Sequence, residues 1–257
     1  MLMALNRRDQ SRSQAQGQAY RAPTNAKTIW LRDALAQTGR GKLSERQLEF
    51  FRKDEGQAED VELFCAGDLG LLSRPCVSIV GTREATFDGQ ARASRLAKEL
   101  VTAGVVIMSG LARGIDGAAH NSAIQNGGRT IAVIGTPLSK AYPPEHASLQ
   151  TEIWKHHLLI SPFRPGATVK PGNFPRRNRA MAALSDVTVI IEASEGSGTL
   201  HQAAECQRLN RWLFITQAVA SDPKLEWPKR FIGHPFVAIL TSTADILSKL
   251  KDRGDVG

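Results

Sequence analysis

The sequence predicts an α/β fold, a doubly wound and mainly parallel sheet with a small helical N-terminal extension. Two features carry that expectation. From residue 76 onward, short apolar runs alternate with segments of helical period, and strand-helix alternation builds a parallel sheet covered by helices. The apolar runs are continuous and rich in β-branched residues, as strands buried on both faces require. A chain of 257 residues, 42% apolar and 23% charged, has room for one full domain plus appendages. Collagen-like, disulfide-rich and mainly disordered proteins are excluded by that composition.

Element by element, residues 1–27 are expected as a disordered or loosely held tail, because 6–27 is polar and Gln/Ser-rich with little to bury. Residues 28–75 are expected as a helical N-terminal extension. In it Ile29, Trp30, Leu31 and Leu35 form one apolar group and Leu43, Leu48, Phe50 and Phe51 a second, parted by Gly39 and Gly41. Ser44 and Gln47 have the spacing of a capping box for the second helix. The core, 76–257, then has candidate strands at 77–80, 105–108, 130–134, 158–161, 187–191 and 212–215. Helices are expected between them, at 90–102, 116–125, 149–154, 174–184 and 198–209, and a strand at 236–240 and a helix at 243–250 follow. No repeat of solenoid period is present.

The net charge of +8 is unevenly placed: residues 71–216 carry 16 basic and 10 acidic side chains, against 11 and 10 before them and 6 and 5 after. A surplus on the middle of the chain favours a polyanionic partner, phosphates above all, although it also suits plain solubility. Cys65, Cys76 and Cys206 form no C-x-x-C pair, so they are expected as buried small hydrophobes without disulfide or zinc. No run approaches the roughly 18 apolar residues of a membrane helix, and Asn6, Arg7 and Arg8 interrupt the apolar start. A cytoplasmic protein without membrane contact is expected.

In such sheets ligands bind beyond the carboxyl ends of the strands. Those ends here are Gly-rich: Gly81-Thr82-Arg83 after the first strand, Ser109-Gly110 through Arg113-Gly114 after the second, and Ser197-Gly198-Thr199 after the fifth. Glycine lets backbone N–H groups approach an anion, hydroxyls add donors, and Arg83 and Arg113 can fork onto phosphate oxygens. The alternative is that these glycines only make turns. Arg176, Arg177, Asn178 and Arg179 crowd a helix start, where the macrodipole opposes cations, so a bound polyanion explains them better than helix stability does. Phe174 has two readings, a core residue, which is favoured, or a stacking platform for a base. No dinucleotide fingerprint or P-loop is present, which excludes ATP hydrolysis by the P-loop route.

These motifs resemble the Rossmann-type core of the DNA-processing protein A (DprA/Smf) family, an extended Rossmann-like fold. The resemblance rests on VSIVGTRE at 77–84, SGLARGIDGAAH at 109–120, TIAVIGT at 130–136, YPPEH at 142–146, FPRRNRAMAALS at 174–185 and VIIEASEGSGTL at 189–200. It implies single-stranded DNA binding, a homodimer and loading of a RecA-type recombinase in DNA recombination or natural transformation, with no catalysis and no cofactor. Carried over position by position, the strand-binding residues are Gly81, Arg83, Ser109, Gly110, Arg113, Gly114, Arg177, Asn178, Arg179, Ser197, Gly198 and Thr199. Asp116 is read as a helix cap or arginine clamp and His120 as a hydrogen-bonded core residue. Leu200, His201 and Gln202 depart from the family's smaller or apolar residues, and the flanks make this a shortened member. The core also resembles LOG-type nucleotide hydrolases, whose catalytic Glu would fall at Gln202; an amide cannot do that acid-base work. Glu205 is a turn further on. A non-enzymatic sensor of a small nucleotide is the alternative function.

Overall fold

The computed structural model describes residues 20–40 and 60–251. In chain order its strands are β1 (Lys27–Trp30), β2 (Glu62–Gly67), β3 (Cys76–Val80), β4 (Val106–Ser109), β5 (Thr130–Val133), β6 (Leu158–Ser161), β7 (Val187–Ile190), β8 (Trp212–Thr216) and β9 (Val237–Leu240). The helices are α1 (Leu31–Gln37), α2 (Phe87–Thr102), α3 (Ile115–Gln125), α4 (Ala147–His156), α5 (Asn173–Leu184), α6 (Thr199–Arg208), α7 (Gln217–Ala220) and α8 (Thr243–Lys251). The strands form one sheet in the order β1-β2-β6-β5-β4-β3-β7-β8-β9. From β6 to β9 every pairing is parallel, while β2 pairs antiparallel with both β1 and β6.

Alternate residues of these strands feed two cores. Val77, Ile79, Ile107 and Val189 pack under α2, α3 and α8, and Val80, Met108, Val133 and Ile190 pack under α1, α5 and α6. Polar residues in the buried strands are paid for locally: Ser109 donates to Ile79 O at 2.6 Å and Thr130 to Ile107 O at 2.8 Å, as buried hydroxyls must be. The three cysteines are buried and free. Among the described residues no helix is long and apolar enough to cross a membrane.

The N-terminal extension carries a helix, α1, but it is not purely helical. Ile29 and Trp30 lie in strand β1, so the helix begins only at Leu31, and 62–67 forms a second strand. The reason is an open edge: β6 would otherwise present unpaired backbone groups, and β2 covers them. Arg40 fastens the extension to the core, its guanidinium reaching both Asp186 oxygens at 3.1 Å and Arg74 O at 2.9 Å with its side chain fully buried. Within the expected tail, 20–27 is described, and Tyr20 is held by a 2.8 Å hydrogen bond from its hydroxyl to Leu138 O. The second expected helix around Leu43 to Phe51, with Ser44 and Gln47, lies outside the described residues.

His120, on α3, is fully buried with Nδ1 2.7 Å from Thr130 Oγ1. Burial, reinforced by the charges of neighbouring groups, pulls its imidazole from 6.5 down to about 3. A depressed folded value means the unfolded chain takes up the proton first, so the contribution is complete above pH 6.5 and is lost as pH falls toward 3. The slope is about 1.4 kcal/mol per pH unit. Denaturant unfolding of the protein and of His120→Asn at pH 7 and pH 5 should show about 2 kcal/mol more acid loss in the native sequence; equal losses would place the titration elsewhere.

Candidate functional site

The chain leaves β3 toward β4, β5 and β6 on one side and returns to β7 on the other. The carboxyl ends of β3 and β7 therefore diverge, and a crevice opens at this switch point. It is a cavity of about 730 Å³ walled by Gly81 to Glu84 after β3, Lys170, Pro171, Phe174 and Pro175 around the start of α5, and Ser197 to Thr199 at the start of α6. Thr82 N–H donates to Glu192 O at 2.7 Å, so the loops leaving β3 and β7 are fastened together.

Two helix N-termini face this cavity. Neither α5 nor α6 has an acidic residue in its first turn, and their N-cap residues, Gly172 and Gly198, have no side chain to accept the leading N–H groups. The loops supply acceptors instead, Lys170 O for Asn173 N–H at 3.0 Å, Ser197 O for Leu200 N–H at 3.0 Å and Ser197 Oγ for Thr199 N–H at 3.3 Å, so what these ends offer an anion is the helix dipole. The α3 N-terminus is different, because Asp116 already fills it, accepting from Gly110 N–H at 3.1 Å and Ala112 N–H at 3.2 Å. Arg83 is exposed, with its guanidinium 4.9 Å from the centre of the Phe174 ring. Phe174 is half-buried and packs 5.4 Å from Tyr142, which is itself 38% exposed. A smaller pocket of about 110 Å³ beside these rings is lined by Arg83, Arg113, Tyr142 and Phe174 among others.

Phe174, Arg177, Asn178 and Met181 all line the main cavity, as residues spaced by three and four on one helix face should. Arg177 is the floor beneath the rim. It is 5% exposed and donates to Val133 O at 2.7 Å and to Gly110 O. Burial lowers its guanidinium to about 10, against the pull of Asp116, so it remains charged at neutral pH. Burial pushes the Asp116 carboxyl up, against Arg177 and the N–H donors.

A model of the DNA recombination-mediator protein A family matches residues 53–251. The chain belongs to the DNA recombination-mediator protein A family. It is 36% identical over 212 residues to the DNA processing protein DprA of Bacillus subtilis, covering 82% of this chain and 71% of that one. It is 44% identical over 191 residues to DprA of Streptococcus pneumoniae, covering 74% and 67%. Of the Smf protein of Synechocystis it matches 35% of the length. The solved structure of DNA processing protein A from Helicobacter pylori superposes with a TM-score of 0.69 at 25% identity, covering 89% of this chain and 96% of that one. That structure is described for the protein's unique single-stranded DNA binding mode.

For this family member, the residues marked by sequence fall into three groups. Gly81, Arg83, Asn178, Ser197, Gly198 and Thr199 come together around the main cavity, with Arg113 at the smaller pocket. Ser109, Gly110, Gly114 and Arg177 form the framework beneath. The Ser109 hydroxyl is committed to Ile79 O, a Cβ on Gly110 would collide with the Arg177 guanidinium, and Gly114 has φ +71° and a Cβ there would stand 2.5 Å from Thr82 O. Arg179 lies apart from both pockets, turned toward α6, where it pairs with Glu205 at 3.5 Å. Glu205 also holds Arg208 and does not line the cavity, and Gln202 is buried with its amide donating to Thr188 Oγ1 at 3.3 Å. Tyr142, Lys170 and Thr82 line the cavity without having been marked. Lys170 had a signal, a cation directly before Pro171-Gly172 and a helix start.

Proposed function

We propose that the chain binds single-stranded DNA along the switch-point crevice and, with its backbone contacts, does so without strong sequence preference. The observation that carries this reading is the convergence of Arg83 and Lys170 with two helix N-termini that hold no acidic residue in their first turns, around the rings of Phe174 and Tyr142. Cations and the positive ends of helix dipoles suit phosphates, and the rings suit bases of any identity. The role is binding without catalysis, since the family position of a hydrolase carboxylate is held by the buried amide of Gln202. Loading of a RecA-type recombinase in recombination or natural transformation, and a cytoplasmic homodimer, complete the proposal on the strength of the family; a monomer mass by light scattering at high concentration overturns the dimer.

Affinity for a labelled oligonucleotide should fall steeply as salt rises, because each neutralised phosphate releases counterions. Arg83→Ala and Lys170→Ala are each expected to flatten the log-log slope by roughly 0.7, the value for one single-strand phosphate. Arg179→Ala should leave the slope unchanged, because that arginine is turned toward Glu205. Binding that ignores salt, or no binding at low salt, overturns the proposal. The second reading is a sensor for a small nucleotide, for which a cavity of about 730 Å³ is large enough. A mononucleotide that competes as well as the oligonucleotide does would favour it.

A further inference from the structure

Arg113 is 63% exposed at the rim of the smaller pocket, and its Nε is already engaged by the carboxylate of Glu145. An exposed ion pair of two mobile side chains contributes little to stability. This one is different in how its two backbones are held. Glu145 sits in a single 3-10 turn, Pro144–His146, and His146 Nδ1 lies 3.0 Å from Leu111 O in the loop that carries Arg113. The His146 ring also packs on α3, 2.9 Å from where a Cβ on Gly117 would stand. The turn and the loop are thus fixed to each other, and the carboxylate is presented to the guanidinium by the fold. Arg113 in turn holds the Glu145 carboxyl below its usual range.

We infer that Glu145 is an affinity-setting gate for the proposed strand site: its carboxylate occupies the Nε–H of Arg113 and offsets its charge, and a phosphodiester gripping that side of the guanidinium must displace it. The inference rests on the single-strand reading and deepens it. Carboxylate and phosphate compete for the same planar fork of donors, so in the native protein Arg113 brings little net charge to the strand. Arg113 is then a conditional contact, in contrast to Arg83, which rests on an aromatic ring.

The test is a cycle of four proteins, native, Glu145→Gln, Arg113→Ala and the double variant, titrated with a labelled oligonucleotide at several salt concentrations. Glu145→Gln should steepen the salt slope by roughly 0.7 and tighten binding about fivefold at 0.1 M salt, the worth of one further neutralised phosphate. Arg113→Ala should abolish the gain in the Glu145→Gln background. Glu152→Gln, which removes an exposed carboxylate on α4, controls for net charge. Unchanged affinity in Glu145→Gln, an equal gain from Glu152→Gln, or a gain that persists without Arg113 overturns the gate while leaving strand binding in place. Failure of the native protein and Glu145→Gln alike to bind oligonucleotide overturns strand binding itself, and the gate with it.

Discussion

Arg177→Ala is expected to destabilise the fold by about 3–5 kcal/mol, the cost of stranding a buried charge. The variant leaves Asp116 without its cation and the carbonyls of Gly110 and Val133 without their donor. The loops after β4 and β5 meet on this guanidinium, so the rim above it should loosen as well. Denaturant unfolding measures the loss, and Arg177→Met combined with Asp116→Asn should recover part of it, because removing both members of a buried pair is far milder than removing one. A loss below about 1 kcal/mol in Arg177→Ala would show that the side chain is free for a ligand rather than built into the floor.

Phe174→Ala should weaken oligonucleotide binding by about 1–3 kcal/mol, roughly five- to 150-fold, which is the usual worth of one base stacked on a ring. Two effects combine at this residue. The ring is a half-buried wall of both pockets, and it supports the Arg83 guanidinium 4.9 Å from its centre. Phe174→Trp should retain affinity, because a larger face does both tasks. An oligonucleotide lacking bases should be less sensitive to Phe174→Ala than an ordinary one. Equal binding by Phe174→Ala and the native protein in titrations at one salt concentration would remove the stacking platform from the model.

The strands from β3 to β8 were legible because a parallel sheet buries both faces and so writes continuous apolar runs into the chain. β1 was not, since Ile29 and Trp30 adjoin Leu31 and Leu35 and together imitate a helical period. β2 was missed for another reason: its partner strand β6 lies about a hundred residues on, and local pattern carries no register across that distance. In the site, glycines and cations identified the right loops but not their depth. Arg177 and Arg179 are two residues apart, and positions so spaced do not share a helix face; that geometry was available in the sequence and separates the buried floor residue from the one turned to α6. Phe174, expected in the core, instead proves to be a half-buried wall, because Gly135 leaves space for the ring edge beneath Tyr142.

The family model and physical independence draw different borders on this chain. The family match begins at residue 53, yet Leu31 and Leu35 belong to the main core, β1 completes the sheet beside β2, and Arg40 satisfies Asp186 at the foot of β3 and β7. A fragment trimmed to the matched region would bare the outer edge of β2, open a hole under α5 and deprive a buried carboxylate of its arginine. The smallest autonomous piece of this protein therefore starts upstream of the residues the family model matches, and a gene fragment designed from that match alone would be cut through its own foundation.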